Sequence, residues 1–124
     1  MLEELKIKIW GIQPVAKVTD KQLIRLITRE FAQYIDEVKN KLGKVESDTV
    51  NGKNRISAAI IKLSNKDPKS IDHYIEIANN DCRDVLSQAE YPRCSKLGFD
   101  DFDNNEMKSI YLDDWREYSK WLND

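Results

Sequence analysis

The chain contains 124 residues, of which 40% are apolar and 34% are charged, and its formal net charge is -2. A chain of this length can bury roughly two-thirds of its unfolded surface and form a core without disulfides or metal ions. This composition excludes a chain that is disordered throughout, and the length predicts a single domain.

Positive and negative charges are unevenly distributed along the chain. Residues 1–66 contain 13 Lys and Arg against 8 Asp and Glu, whereas residues 67–124 contain 7 against 14. The two halves therefore carry formal charges of +5 and -7. This asymmetry fits either two binding faces or an attraction between the halves within the fold, and we favour the second interpretation. It does not indicate a nucleic-acid partner.

The first twenty residues argue against a secretory leader. Acidic residues lie near the start, and Lys6 and Lys8 interrupt the apolar stretch, so no signal-peptide hydrophobic region is predicted. No segment approaches the ~20 apolar residues of a membrane span. We therefore expect a cytoplasmic protein without a membrane partner. In that reducing compartment, Cys82 and Cys94 are expected to be free thiols.

The N-terminal residues 1–18 are predicted to form an irregular arm that packs on a single helical domain of residues 19–124. Apolar residues alternate with lysines over residues 5–9, as in a strand, but a lone short strand would lack a partner. We expect Trp10 and Ile12 to pack against the helices.

The first helix is predicted from about Asp20 to Leu42. Thr19 or Asp20 can cap its start, and Gly43 lies just past its end. Residues 44–52 are predicted to be a loop, because the Asn-Gly pair at its end favours positive φ. Apolar residues recur along the helix at spacings of three and four: Leu23, Ile27, Phe31, Tyr34, Ile35, Val38 and Leu42.

Four further helices follow. The second contains the stripe Ile56, Ala59, Ile60 and Leu63 and ends near Asn65. The third begins at the Asp67-Pro68 cap, and the fourth lies between a turn at residues 79–81 and Pro92. After a loop over residues 93–104, the last helix carries Tyr111, Trp115, Tyr118 and Leu122 on one stripe. The sequence therefore predicts an all-α, compact single-domain bundle of about five helices.

The densest polar cluster begins at Asp81-Cys82-Arg83-Asp84 and continues with Glu90, Tyr91 and Arg93. Its carboxylates could share acid and base roles while an arginine holds an anionic substrate. Alternatively, Asp81 caps the fourth helix and carboxylates within the fold hold Arg83. We favour the structural interpretation, because no glycine-rich phosphate loop or evident nucleophile accompanies the cluster.

No metal or cofactor site is predicted. Zinc would require four ligands, and the chain offers two cysteines and one histidine, His73. The run from Asp101 to Asn105 resembles the start of a calcium loop, but the required glycine is replaced by Glu106 and the bidentate glutamate by Leu112. His73 is interpreted as an ordinary surface or half-buried histidine.

Three segments resemble a group of small bacterial proteins of unassigned function. They are RISAAIIKL at 55–63, DCRDVLSQAEYP at 81–92 and DWREYSKWL at 114–122. The resemblance implies a bacterial cytoplasmic origin and carries no activity or ligand with it.

The leading functional hypothesis is a small protein-binding or regulatory module, whose partner is another protein or a second copy of the chain. Exposed charge and surplus aromatic residues favour it, with Trp121 as the aromatic residue we expect to be exposed. One alternative is a small enzyme or binding protein for an anionic metabolite that uses Asp81, Arg83, Asp84 and Glu90. Another is an immunity or inhibitor protein for a basic partner.

Overall fold

The regular elements are all helical. The computed structural model describes residues 2–10, 14–98 and 105–124, with backbone alone for residues 2, 9 and 10. These ranges contain eight α-helices and one π-helical turn, Lys6–Trp10, so the all-α prediction is confirmed but about five helices is too few. The helices are α1 Leu2–Leu5, α2 Asp20–Glu30, α3 Ile35–Leu42, α4 Val50–Ser64, α5 Pro68–Asn80, α6 Cys82–Glu90, α7 Pro92–Leu97 and α8 Asn105–Asn123.

The chain divides into two compact units. Residues 17–89 form one, which we call the central unit. Residues 1–16 together with 90–124 form the other, which we call the terminal unit. The division into an arm over 1–18 and a domain over 19–124 stays a prediction.

The central unit is built around α4. This helix packs against α2 and α5, while α3 packs against α2 and α5. Ala58 and Ala59 are fully buried, and their small side chains permit the close approach of a neighbouring helix. The larger core residues of the unit include Leu26, Ile27, Phe31, Val38, Leu42, Ile56, Ile60, Ile61, Ile71 and Ile75.

The single helix predicted from Asp20 to Leu42 is wrong, because the chain turns between α2 and α3. Helix α2 ends at Glu30, and the φ of -134° and ψ of 50° at the following residue, Phe31, are not helical. An uninterrupted helix over those 23 residues would extend roughly 35 Å, somewhat longer than the ~30 Å diameter of a small domain. The turn lets α2 pack on α4 while α3 packs on α5. Phe31 is 2% exposed, and its burial stabilises the turn. No Gly or Pro lies at the turn to mark the end of the helix in the sequence.

The predicted loop over residues 44–52 is too long, because α4 begins at Val50. Gly52 lies in the first helical turn, where its N–H donates to the Thr49 hydroxyl over 2.9 Å. A Cβ at this position would lie 2.4 Å from Ser47 Oγ and 2.8 Å from Thr49 Oγ1. Close approach of the capping loop, rather than positive φ, therefore requires glycine here.

Two predicted helix starts are confirmed. Thr19 and Gln22 form a reciprocal capping box at α2, in which Gln22 N–H donates to Thr19 Oγ1 and Thr19 N–H to Gln22 Oε1. Asp67 accepts a hydrogen bond from the Lys69 N–H ahead of α5, with Pro68 at the first helical position. Both signals consist of side chains that bond to backbone groups within three residues.

The terminal unit has its own apolar core. Ile7, Tyr91, Cys94, Met107, Tyr111 and Leu112 are buried together, with Ile110 and Trp115 packed against them. The irregular arm is wrong for residues 2–10, which are helical, whereas residues 14–19 have no regular structure. The predicted loop 93–104 is wrong at its start, where α7 forms. The expectations for the Trp10 side chain, for Ile12 and for the acidic run from Asp101 lie outside the described atoms.

Within the described ranges, none of the helices combines the length and the apolar character needed to cross a lipid bilayer.

Candidate functional site

Asp81 and Arg83 form a local ion pair at the start of α6. Arg83 Nε donates to Asp81 Oδ1 and Arg83 Nη2 donates to Asp81 Oδ2, each over 3.0 Å. Asp81 Oδ1 also accepts the Arg83 backbone N–H over 3.1 Å, which satisfies a donor in the first helical turn. The hydrogen bonds to Arg83 lower the pKa of Asp81, and the bond to Asp81 raises the pKa of Arg83. Asp81 thus caps the helix and also holds Arg83.

The other members of the predicted polar cluster lie in different surroundings. Asp84 is exposed in the first turn of α6. Glu90 and Tyr91 are buried, at 2% and 0% exposure. The phenolic O–H of Tyr91 donates to the Pro14 carbonyl over 3.5 Å. Five of the six residues are therefore an ion pair at the surface, an exposed acid and two buried side chains, and the sixth, Arg93, belongs to a different network.

A buried carboxylate that the sequence analysis did not single out caps α7. Tyr91, at the N-cap position, makes no capping hydrogen bond with its side chain. Instead, Asp114 Oδ2 on α8 accepts the backbone N–H groups of Arg93 and Cys94, over 3.2 and 3.1 Å. Asp114 is 1% exposed. A side chain twenty residues away therefore does the work that a local Ser, Thr or Asp does at other helices.

Arg93 extends this arrangement into a three-residue network. Its Nη1 donates to Asp114 Oδ1 over 2.8 Å and to Glu117 Oε2 over 2.9 Å, and its Nη2 donates to Glu117 Oε1 over 2.6 Å. Hydrogen bonds to Glu117 first, and then to Asp114, raise the pKa of Arg93. The guanidinium is thus held by two carboxylates of α8, an arrangement suited to joining α7 to α8.

The sequence did contain a signal for Asp114. The residue lies three positions after Tyr111 and four before Tyr118, so it falls on the buried stripe of α8. A buried carboxylate requires hydrogen-bond donors, and this position could have been singled out on that ground. Its partners could not, because they lie on another helix.

The Cys94 thiol lies beside this network and has low reactivity. Burial, followed by the charge of Asp114, raises its pKa from 9.0 to about 12. Tyr111 has its pKa raised by burial as well, and its ring lies 4.7 Å from that of Tyr91 between centroids. Because the thiolate is the reactive form of cysteine, Cys94 behaves as a core residue.

Trp121 and His73 each contact a neighbouring aromatic ring. Trp121 is half-buried and its ring stacks on Tyr118, with centroids 5.5 Å apart. His73 is exposed and makes an edge contact with the neighbouring Tyr74, with ring centroids 5.2 Å apart. Neither residue lines the apolar cleft that α2, α3 and α4 form in the central unit.

The central unit contains an apolar cleft, which we call the α2–α4 cleft. It has a volume of about 340 Å³ and lies between α2, the end of α3 and the first half of α4. Leu23, Ile24, Ile27 and Leu42 supply its apolar lining, and Asp20, Lys39, Lys53, Asn54 and Ser57 supply the polar part. Ile24 is 49% exposed, so the cleft opens onto the surface.

Buried Asn54 fixes one wall of this cleft. Its Nδ2 donates to the Val18 carbonyl over 3.1 Å and to Asp20 Oδ1 over 2.8 Å, which ties the start of α2 to α4. Lys53 Nζ donates to the Gly43 carbonyl over 3.2 Å at the opposite side. Sequence reasoning did not find the cleft. Its signal was Ile24, an extra apolar residue adjoining the Leu23 and Ile27 stripe.

Among residues 2–10, 14–98 and 105–124, no group of three His, Cys, Asp or Glu side chains is placed to hold a metal ion. No protein-family profile matches the chain, and neither the curated proteins nor the solved structures provide a match.

Proposed function

We propose that this chain is a protein-binding module and that the α2–α4 cleft is its binding surface. The observation that carries the proposal is a concave apolar site with Ile24 at its opening, 49% exposed. Its volume of about 340 Å³ falls in the range of ~300–1,000 Å³ typical of binding pockets. Such sites receive the anchor side chains that dominate the binding energy of protein interfaces.

The polar clusters support binding rather than catalysis. Arg83 is paired with the carboxylate that caps its own helix, and Arg93 is occupied by Asp114 and Glu117. Cys94 has a pKa of about 12, so its thiol is protonated at neutral pH. These groups are used in building the fold, whereas the cleft leaves apolar surface open.

The charges at the cleft indicate an acidic partner. Lys39 and Lys53 line it together with one carboxylate, Asp20, which already accepts a hydrogen bond from Asn54. A segment with an apolar or aromatic anchor flanked by Asp or Glu complements this surface. We place the interaction in the bacterial cytoplasm, following the resemblance of three segments to small bacterial proteins.

A displayed random-peptide library selected on the full chain tests the proposal. We expect enrichment of peptides with an apolar or aromatic residue flanked by acids. Ile24→Asp should weaken their binding at least tenfold, because it places a carboxylate at the mouth of the cleft. Val50→Asp is the matched control, because Val50 is also exposed, at 70%, and does not line the cleft.

Circular dichroism of both variants checks that the fold is intact. The proposal is wrong if the chain is monomeric and no peptide is enriched, or if the enriched peptides bind the Ile24→Asp variant as well as the parent.

A further inference from the structure

Ser57 is a buried polar side chain at the α2–α4 cleft. The residue is 1% exposed and lines the cleft. Its Oγ is buried and has no hydrogen-bond partner in the part of the chain that the structure describes. Since buried hydroxyl groups are nearly always hydrogen-bonded, this one calls for an explanation.

Ser64 on the same helix shows what a buried serine of α4 ordinarily does. It lies two turns after Ser57, is 2% exposed, and its Oγ donates to the Ile60 carbonyl four residues earlier over 2.7 Å. That bond is the usual one for serine inside a helix. Ser57 makes no such bond, so its buried hydroxyl keeps an unmet hydrogen-bonding capacity in a residue that lines the cleft.

The chain itself carries a side chain that fits this requirement. Tyr34, in the turn between α2 and α3, is 46% exposed, and it caps α3 without a side-chain hydrogen bond. Asp36 and Glu37 follow it in the first turn of α3 and are exposed. Glu37 lies 3.6 Å from Lys41. An exposed tyrosine beside two acids has the chemistry expected of the partner.

We propose that the occupant of the α2–α4 cleft is Tyr34 of a second copy of this chain, with its phenol bound by the Ser57 hydroxyl. The inference rests on the proposed binding function of the cleft and names its partner. Leu23, Ile27 and Leu42 give the ring an apolar environment, and a buried phenol needs a hydrogen-bond partner. A serine hydroxyl can donate or accept in that bond.

Volume and charge agree with this assignment. The cleft volume of about 340 Å³ lies within the ~300–1,000 Å³ range of pockets that enclose small ligands, which accommodates an aromatic side chain. Asp36 and Glu37 of the entering copy would lie near Lys39 and Lys53 of the receiving copy. Because Tyr34 and the cleft belong to the same unit, two copies can exchange identical contacts in a closed dimer.

Analytical ultracentrifugation of the full chain over the micromolar to millimolar range tests the assignment. We expect concentration-dependent dimerisation, and we expect Tyr34→Ala and Ile24→Asp each to give monomers. Mixing these two variants is the decisive measurement. One retains an intact cleft and the other an intact Tyr34, so the mixture should associate again, more weakly than the parent.

A double-mutant cycle locates the hydrogen bond. Tyr34→Phe and Ser57→Ala should each weaken dimerisation by roughly 25-fold, about fivefold for each of the two equivalent hydrogen bonds in the closed dimer, and the double variant should be no weaker than either. Ser64→Ala is the matched control and should leave the dimer constant unchanged. Ser57→Cys, which replaces the hydroxyl by a slightly larger and weakly hydrogen-bonding thiol, serves if Ser57→Ala does not fold.

The outcomes separate this inference from the proposed function. A chain that stays monomeric but binds acid-flanked peptides through Ile24 overturns the Tyr34 assignment and leaves the protein-binding function standing. Variants that fail to associate on mixing also overturn it, as does an additive double variant. A monomer that binds no peptide overturns both proposals.

Discussion

Two arginines ten residues apart make ion pairs of very different structural importance. Arg83 is 86% exposed in its side chain and pairs with Asp81, two residues earlier. Arg93 reaches two carboxylates on another helix, and the side chain of one of them, Asp114, is fully buried. The structural importance of these two ion pairs therefore depends less on the geometry of the pair than on which backbone N–H groups the carboxylate also binds. Asp81 completes one helical turn, whereas Asp114 joins two helices.

The largest difference between the surroundings of Arg83 and those of Arg93 should appear in thiol reactivity. Cys82 precedes Arg83, and Cys94 follows Arg93. Cys94 has a pKa of about 12, against 9.0 for an ordinary thiol, so at pH 8 its thiolate fraction is about a thousandfold lower than usual. Cys82 is partly exposed. We expect a disulfide reagent such as DTNB to modify Cys82 rapidly and Cys94 only when the chain unfolds.

Mass spectrometry after timed labelling measures both rates. In Cys82→Ser, rapid labelling should disappear, whereas Cys94→Ser should retain it. Rapid modification of both thiols in the folded parent would show that the network around Asp114 opens readily.

The next largest effect concerns Asp114. Asp114→Ala removes the acceptor for two backbone N–H groups of α7 and one guanidinium N–H. We expect a loss of about 2–4 kcal/mol in the free energy of unfolding, from the lost cap and the unsatisfied donors. Asp114→Asn, which keeps one carbonyl acceptor, should lose less.

Urea denaturation measures these values. The neighbouring Asp113 is exposed on the same helix, so Asp113→Ala should change stability by no more than about 0.5 kcal/mol. Equal losses for the Asp113 and Asp114 variants would contradict the role assigned to the buried carboxylate.

The smallest effect is expected at Arg83. Arg93→Ala strips the buried Asp114 of its counter-charge and should lower the melting temperature clearly, whereas Arg83→Ala removes an exposed pair and should change it little. The pKa of Asp81 is lowered below 3.8 in the folded chain. Its small contribution is therefore present above pH 3.8 and is lost as the pH falls through the folded value. Melting curves at pH 7 and at low pH check both statements, and a larger loss for Arg83→Ala than for Arg93→Ala would reverse the comparison.

The sequence predicted those features that depend on neighbours in the chain. Thr19 with Gln22, and Asp67 with Pro68, bond within three residues, and both helix starts were found. The helical stripes likewise follow from spacing alone. The all-α character of the fold was therefore accessible, whereas the number of helices was not.

Features that depend on distant contacts escaped prediction. Nothing local in the sequence marks the turn after Phe31, which exists because α2 and α3 pack on different helices. The Asn51-Gly52 pair was misinterpreted because the demand for glycine comes from Ser47 and Thr49 rather than from φ. The α2–α4 cleft escaped for the same reason, since its lining comes from three helices.

The terminal unit is built from two distant segments of the chain, so it can be completed only late in synthesis. Its two segments, residues 1–16 and 90–124, are separated by the whole of the central unit. Glu4 cannot meet Arg116, with which it pairs over 3.0 Å, until a further hundred or so residues have been translated, which takes roughly 5 to 20 seconds at ordinary rates. During that interval the ribosome releases every residue of the central unit, which can fold first. Ile7, fully buried in the finished unit, cannot pack against its partners Met107, Tyr111 and Leu112 until the last helix emerges.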